Sequence, residues 1–300
     1  MTVERANASS PGEMQVTVAD GVSLRVLAWA AVGSGAGAPS FLLLHGLAST
    51  AAVWEPVATR LAAAGHRVFA ADFRGHGLSD KPDGGYDIAT YAADLVGLIE
   101  GLEMDRPILV GHSLGAFVIL EALARNAQLG RLVRGVVLVE GALVDASVQF
   151  ARLEDCLARV KLPPVTGTPA PRLEAYFRHV YPDWPDARVA GMMSSVEVLP
   201  DGTAEWRLRP AHLQALARSM WEWHAGPLLP AIGIPSLWIV ADTGDATWTE
   251  AKREAAAAVE RDVPGARICW LVADHDVHAH RPGDVAALIQ ALAGDDSLPS

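Results

Sequence analysis

In "ILVGHSLGA", residues 108–116, a serine stands between two glycines, after one apolar run and before another. A serine hydroxyl is a weak nucleophile until a base takes its proton, and an imidazole acting as that base needs a carboxylate to hold its tautomer. Of the ten histidines, His275 directly follows the run "ICWLVAD", whereas His66 precedes a strand and His112 points away from the face of Ser113. Three carboxylates compete for the third place. Asp245, a short loop beyond "SLWIVAD", is the best placed; Asp242 closes that run itself, and Glu140 stands at the tip of "VVLVE". Acyl transfer also needs two N–H donors for the developing oxyanion. Leu114, directly after the serine, supplies one, and Leu47, after His45 and Gly46, fits the other.

These residues act together only if one sheet edge gathers them. "FLLLHG", "RVFAADFRG", "PILVGHS", "GVVLVEG", "IPSLWIVAD" and "ARICWLVAD" read as strands, several of them continuous apolar runs of the kind that a strand buried on both faces shows. Helical stretches alternate with them: residues 52–64, "YDIATYAADLVGLIEGL", "LGAFVILEALARNA", "EAKREAAAAVERD" and "PGDVAALIQALAG". Such alternation predicts a parallel sheet covered on both faces, with ligands beyond the carboxyl ends of its strands. Asp20-Gly21, between two alternating runs, predicts an opening hairpin. The expected fold class is α/β, a mostly parallel eight-stranded sheet with helices on both faces. The rhythm breaks after "VVLVEG", in a stretch rich in Pro, Trp and helix-like segments. A core of residues 1–144 and 228–300 is therefore expected, with residues 145–227 inserted as a mainly helical cap. Gly111 and Gly115 gain a reason from this frame: a serine on a tight strand-to-helix turn adopts strained angles, and bulky neighbours would collide.

Composition narrows the partners. With 24 basic against 35 acidic residues and a net charge of −11, nucleic acid and anionic membrane surfaces are excluded as main partners, because both need a positive footprint. A small, largely apolar ligand is expected. Cys156 and Cys269 are the only cysteines, and no CxxC motif occurs, so a reducing compartment fits. The first residues lack an apolar signal-peptide core, and no apolar run reaches about 18 residues; a cytoplasmic location is expected. Oligomeric state is not legible.

"GHSLG" resembles the G-x-S-x-G nucleophile elbow of the α/β-hydrolase superfamily, and the order Ser113, Asp245, His275 is that family's order of nucleophile, acid and base. "HGLAST" is similar to its oxyanion loop, "DFRGHGLSD" to a turn after the next strand, and "HDVHAHRP" to its histidine loop. The resemblance covers residues 15–140 and 228–295. Two departures stand out: Asp274 occupies the place of a usual glycine before the histidine, and "ADTGDAT" is one residue longer than the commonest acid loop.

The resemblance implies a cofactor-independent serine hydrolase of carboxylic esters or lactones, with Ser113 attacking, His275 as base and Asp245 as orienting acid. A serine at the elbow disfavours the alkyl-enzyme chemistry of the family's epoxide hydrolases and haloalkane dehalogenases. Carbon–carbon bond hydrolysis, perhydrolase-like chemistry and a receptor-like binding role are the alternatives. His275, His278 and His280 with two aspartates have metal-ligand composition, but no second ligand group stands elsewhere, so no metal is expected. Candidate substrate contacts are His45, His112, Trp184 and Trp221; the tryptophans are as compatible with packing the cap's own core. Asp72 and Arg74 read as parts of a structural turn.

Overall fold

Runs that are apolar at every position form the middle of the sheet. The computed structural model describes residues 11–33, 38–182 and 184–294. Strands β3 (Phe41–Leu44), β4 (Val68–Ala71), β5 (Ile108–His112) and β6 (Gly135–Val139) are buried at every residue. Because successive side chains point to opposite faces, Leu42 and Leu44 join one hydrophobic cluster and Phe41 and Leu43 another. Helices α1 (Glu55–Ala63) and α12 (Pro282–Ala293) cover the second cluster. Helices α2 (Ile88–Gly101) and α3 (Leu114–Arg125) cover the first. Asp87 starts α2 by accepting from the Thr90 N–H at 2.9 Å, and Ile88, Tyr91, Leu95 and Leu98 then repeat at helical spacing on its buried face.

Eight strands form one sheet in the order β1-β2-β4-β3-β5-β6-β10-β11. Strands β1 (Gly12–Thr17) and β2 (Ser23–Trp29) add antiparallel at one edge, their turn carrying Asp20 and Gly21 at positive φ. Strands β10 (Ser236–Asp242) and β11 (Arg267–Val272) extend the parallel ladder at the other edge. The chain leaves β3 toward β4 and returns to β5 on the other side of β3, so the loops after β3 and β5 part there and open a crevice at the strands' carboxyl ends. The remaining core helices are α4 (Leu129–Leu132), α10 (Ala246–Asp262) and α11 (Val277–His280).

Between β6 and β10 the chain inserts α5 (Ala146–Gln149), α6 (Leu153–Arg159), α7 (Ala170–Val180), α8 (Asp186–Met193) and α9 (Pro210–Glu222). It also inserts a small antiparallel sheet of β7 (Thr168–Pro169), β8 (Val196–Val198) and β9 (Thr203–Trp206). Strands of two to four residues carry too few alternations to be read from sequence. This segment has a hydrophobic cluster of its own around Leu173, Phe177 and Val189. Among the described residues no helix is long and apolar enough to cross a membrane.

The turn after β4 is structural. Asp72 accepts from the N–H groups of Ala51 and Leu78, at 2.7 and 3.0 Å. Arg74 grips the buried Asp94 of α2 with two hydrogen bonds of 2.5 and 2.6 Å. Removing one partner strands a buried charge. Arg74→Met is expected to cost about 3–5 kcal/mol in denaturant unfolding, and the double change Arg74→Met with Asp94→Leu to regain most of that loss.

Candidate active site

The turn between β5 and α3 holds Ser113 at φ 48°, ψ −115°, a region that costs a non-glycine residue of order 1–3 kcal/mol. Its N–H donates to the Val139 carbonyl at 3.0 Å, and its own carbonyl accepts from the Ala116 N–H at 2.9 Å. The flanking glycines are there for space. A Cβ on Gly111 would lie 2.4 Å from the Gly115 carbonyl, and one on Gly115 2.5 Å from the Leu44 carbonyl oxygen. Sequence reasoning missed a third: a Cβ on Gly141 would lie 2.5 Å from the Ser113 carbonyl oxygen.

Ser113 opens onto a cavity of about 550 Å³ that His275, Leu47, Glu140 and Trp248 also line, with Phe150, Val160, Leu213 and Met220 from the inserted segment. Ser113 and His275 have no direct hydrogen bond between them among the described residues; such bonds often tighten only when substrate is bound.

Two buried imidazoles shape the loop after β3. His45 donates from Nδ1 to the Gly46 carbonyl at 2.7 Å and accepts the Phe73 N–H at Nε2. His76 donates from Nδ1 to the Arg74 carbonyl and accepts the Ala48 N–H at Nε2. The groups on either side of Leu47 are thereby tied down. Among the described residues neither the Leu47 nor the Leu114 N–H has a protein acceptor. Burial holds both imidazoles neutral, lowering the pKa of His45 and pushing that of His76 down to about 3. His45 is thus a brace for the loop and does not line the cavity.

Behind His275 stands Glu140, not Asp245. The Glu140 carboxylate lies 3.8 Å from His275 Nδ1 and is almost fully buried. It accepts from the Ala241 N–H at 2.7 Å and from Lys252, whose ammonium also donates to the Ala241 carbonyl at 2.8 Å. Burial works against its charge, but the nearby His275 imidazole and the bonds from Lys252 and Ala241 outweigh that and hold its pKa below the ordinary value. Asp245 instead starts α10, accepting from the Trp248 N–H at 3.0 Å in the exposed loop. Asp242 is engaged with the Gly244 N–H and the Thr249 hydroxyl. The carboxylate placed against the His275 imidazole is thus the one that follows β6. Glu140 itself adopts φ 46°, a second strained residue at this edge.

The histidine loop is held from two sides. His112 donates from Nε2 to the His275 carbonyl at 2.9 Å, and burial lowers its pKa to about 4. It borders the cavity, but its one donor is committed to that carbonyl. Arg188 of α8 reaches across to Asp274 and Asp276 at 3.0 and 2.9 Å, so the unusual Asp274 is matched by a cation from the insertion. Burial opposes the charge on Asp276, and the surrounding imidazoles and Arg188 outweigh it, holding its pKa at about 2. Of the loop's other histidines, His278 converges with His112 and Asp276, with ligand atoms within 4.8 Å of one another, while His280 faces Asp274 at 3.8 Å. Two of those groups are already bonded, His112 Nε2 by the His275 carbonyl and Asp276 by Arg188.

Neither expected tryptophan reaches the cavity. Trp184 stacks on Tyr181 and carries the Arg188 guanidinium 3.9 Å above its ring. Trp221 donates from its indole to the Phe150 carbonyl at 2.7 Å. Trp238 and Trp248 line the cavity in their place. The sequence offered one usable signal for them: both belong to the strand-loop-helix unit that closes the sheet's carboxyl edge.

Residues 41–288 match the model of the alpha/beta hydrolase family. The 2-(acetamidomethylene)succinate hydrolase of Mesorhizobium japonicum is 39% identical over 147 residues, 49% of this chain and 50% of that protein. Epoxide hydrolase A of Mycobacterium tuberculosis is 28% identical over 86% of this chain and 91% of its own. The solved structure of E-2-(acetamidomethylene)succinate hydrolase aligns with a TM-score of 0.75 at 28% identity, covering 94% of this chain and 98% of that one. The matches span half or less of the length of the first curated relatives.

The buried imidazoles set the acid stability. His45, His76, His112 and His278 all have pKa values lowered by burial. The unfolded chain therefore takes up protons below pH 6.5 that the native state refuses, and stability falls as pH drops from there toward 4. Each such histidine contributes a slope approaching about 1.4 kcal/mol per pH unit. Melting temperature followed from pH 7.5 to 4.5 is expected to fall steeply over that window; a flat profile would contradict the burial of these rings.

Proposed function

Because the chain belongs to the alpha/beta hydrolase family, we propose that it is a hydrolase that cleaves a carboxylic ester or lactone through an acyl-enzyme on Ser113. The observation that carries this reading is the strained Ser113 facing the same cavity as His275, with Glu140 3.8 Å behind the imidazole. Ser113 Oγ attacks the carbonyl carbon while His275 Nε2 takes its proton. Glu140 stays ionised, accepts from Nδ1–H and stabilises the imidazolium. The electron pair displaced onto the carbonyl oxygen is met by the N–H groups of Leu47 and Leu114, with the positive end of α3 behind the latter. Collapse expels the alkoxide, which takes the proton from His275; in a lactone it remains tethered to the acyl group. Water then gives its proton to His275, attacks the acyl carbon and releases the acid, restoring the serine hydroxyl.

Residues 145–227 are proposed to act as the cap, since Phe150, Val160, Leu213 and Met220 roof the cavity with apolar surface. Epoxide opening through an alkyl-enzyme is not assigned, despite the likeness to Epoxide hydrolase A, because it uses a carboxylate nucleophile and the elbow holds a serine. A second reading is favoured by the likeness along nearly the whole chain to 2-(acetamidomethylene)succinate hydrolase: the same residues act on that compound or a close analogue.

Turnover of a panel of 4-nitrophenyl esters, lactones and 2-(acetamidomethylene)succinate is expected to vanish in Ser113→Ala with the circular-dichroism spectrum unchanged. Activity surviving in that variant would remove the acyl-enzyme. Glu140→Gln is expected to lower kcat by about 10³–10⁴-fold, as loss of the orienting carboxylate does elsewhere, with Asp245→Asn within about threefold of wild type. The reverse pattern would return the role to Asp245.

A further inference from the structure

The cavity over Ser113 carries more positive charge than its own carboxylates balance. Among the described residues three lysines or arginines border it, Arg159, Lys161 and Lys252, against two acidic residues, Glu140 and Asp276. Lys252 is bonded to Glu140, and Asp276 to Arg188, which lies outside the lining. Arg159 and Lys161 remain, both exposed and without a carboxylate within ion-pair distance among the described residues. In a chain of net charge −11, two uncompensated cations on the wall of the reaction cavity are a local reversal of sign, and such a patch concentrates an anionic ligand.

Their position is held by the fold. Arg159 ends α6, and the Lys161 N–H donates to its carbonyl at 3.1 Å. Gln214 of α9 fastens the same stretch, donating to the Val160 carbonyl at 2.7 Å. Val160, Leu162, Leu213 and Met220 supply apolar lining to the same cavity. The arrangement suits a ligand with a carbonyl at the serine, an aliphatic stretch, and an anionic group that a guanidinium fork and an ammonium can share.

We propose that the substrate carries a carboxylate in addition to the scissile carbonyl, and that Arg159 and Lys161 bind it. This replaces the expectation of a largely apolar ligand. It rests on the reading of the site as a serine hydrolase, and makes Arg159 and Lys161 specificity residues that act through binding and not through the chemical step.

The test compares kcat/KM for the 4-nitrophenyl half-ester of adipic acid with that for 4-nitrophenyl heptanoate, similar in length but neutral, in the full chain and in Arg159→Gln/Lys161→Gln. Exposed ion pairs are individually weak, so the half-ester-to-heptanoate ratio is expected to fall about tenfold in the double variant. The change should appear in KM, and raising salt should erode the wild-type ratio as the charges are screened. A ratio unchanged within twofold would overturn the proposal. If neither ester turns over in wild type, the ester reading fails and the carboxylate site is read separately. Adipate is then expected to raise the melting temperature of Ser113→Ala and not that of Ser113→Ala/Arg159→Gln/Lys161→Gln. Equal shifts, or none in either, would overturn the site as well.

Discussion

The backbone of Ser113, held at φ 48°, ψ −115°, is the constraint on which the rest of the site depends. A residue stays in such a region only where its surroundings over-determine it, and here three segments close on one bend. Gly111 and Gly115 let β5 and α3 pass within van der Waals distance of each other, and Gly115 lets the helix press on the end of β3. Gly141 brings the chain after β6 against the serine's own backbone. That last approach also fixes where Glu140 stands, one residue earlier on the same strained turn. Ser113 and Glu140 are thus positioned by one packing event.

Around this bend the fold keeps neutral rings and paired charges. His45, His76 and His112 are buried and uncharged, so each can serve as donor at one nitrogen and acceptor at the other, and two of them use both to set the loop carrying Leu47. The carboxylates nearest the imidazole are each matched: Glu140 by Lys252, and Asp274 and Asp276 by Arg188. Buried charge is tolerated only when paired and hydrogen-bonded. Arg159 and Lys161 on the same cavity wall are exposed and need no such partner.

Arg188 also links the inserted segment to the histidine loop. Its guanidinium lies on Trp184 and reaches both carboxylates flanking His275. Asp274, which stands where the family usually has glycine, is the anchor point for α8. The insertion does more than roof the cavity: it braces the loop from which His275 projects.

Local pattern was enough for much of this. Continuous apolar runs forced strands buried on both faces, their alternation with amphipathic helices forced a parallel sheet, and Ser113 and His275 fell at its carboxyl edge because each directly follows such a run. Position along the chain could not choose among Asp245, Asp242 and Glu140, since all three follow strands that end at that edge. The choice depends on which carboxylate the twist of the sheet and the turn at Gly141 bring behind one imidazole. Lys252 was equally hidden, inside the helical stretch "EAKREAAAAVERD", because burial of a single lysine is decided by what packs above it. Arg159, Lys161 and Arg188 lie far in sequence from Ser113 and in the one segment without a strong period, so only tertiary packing could bring them to the site.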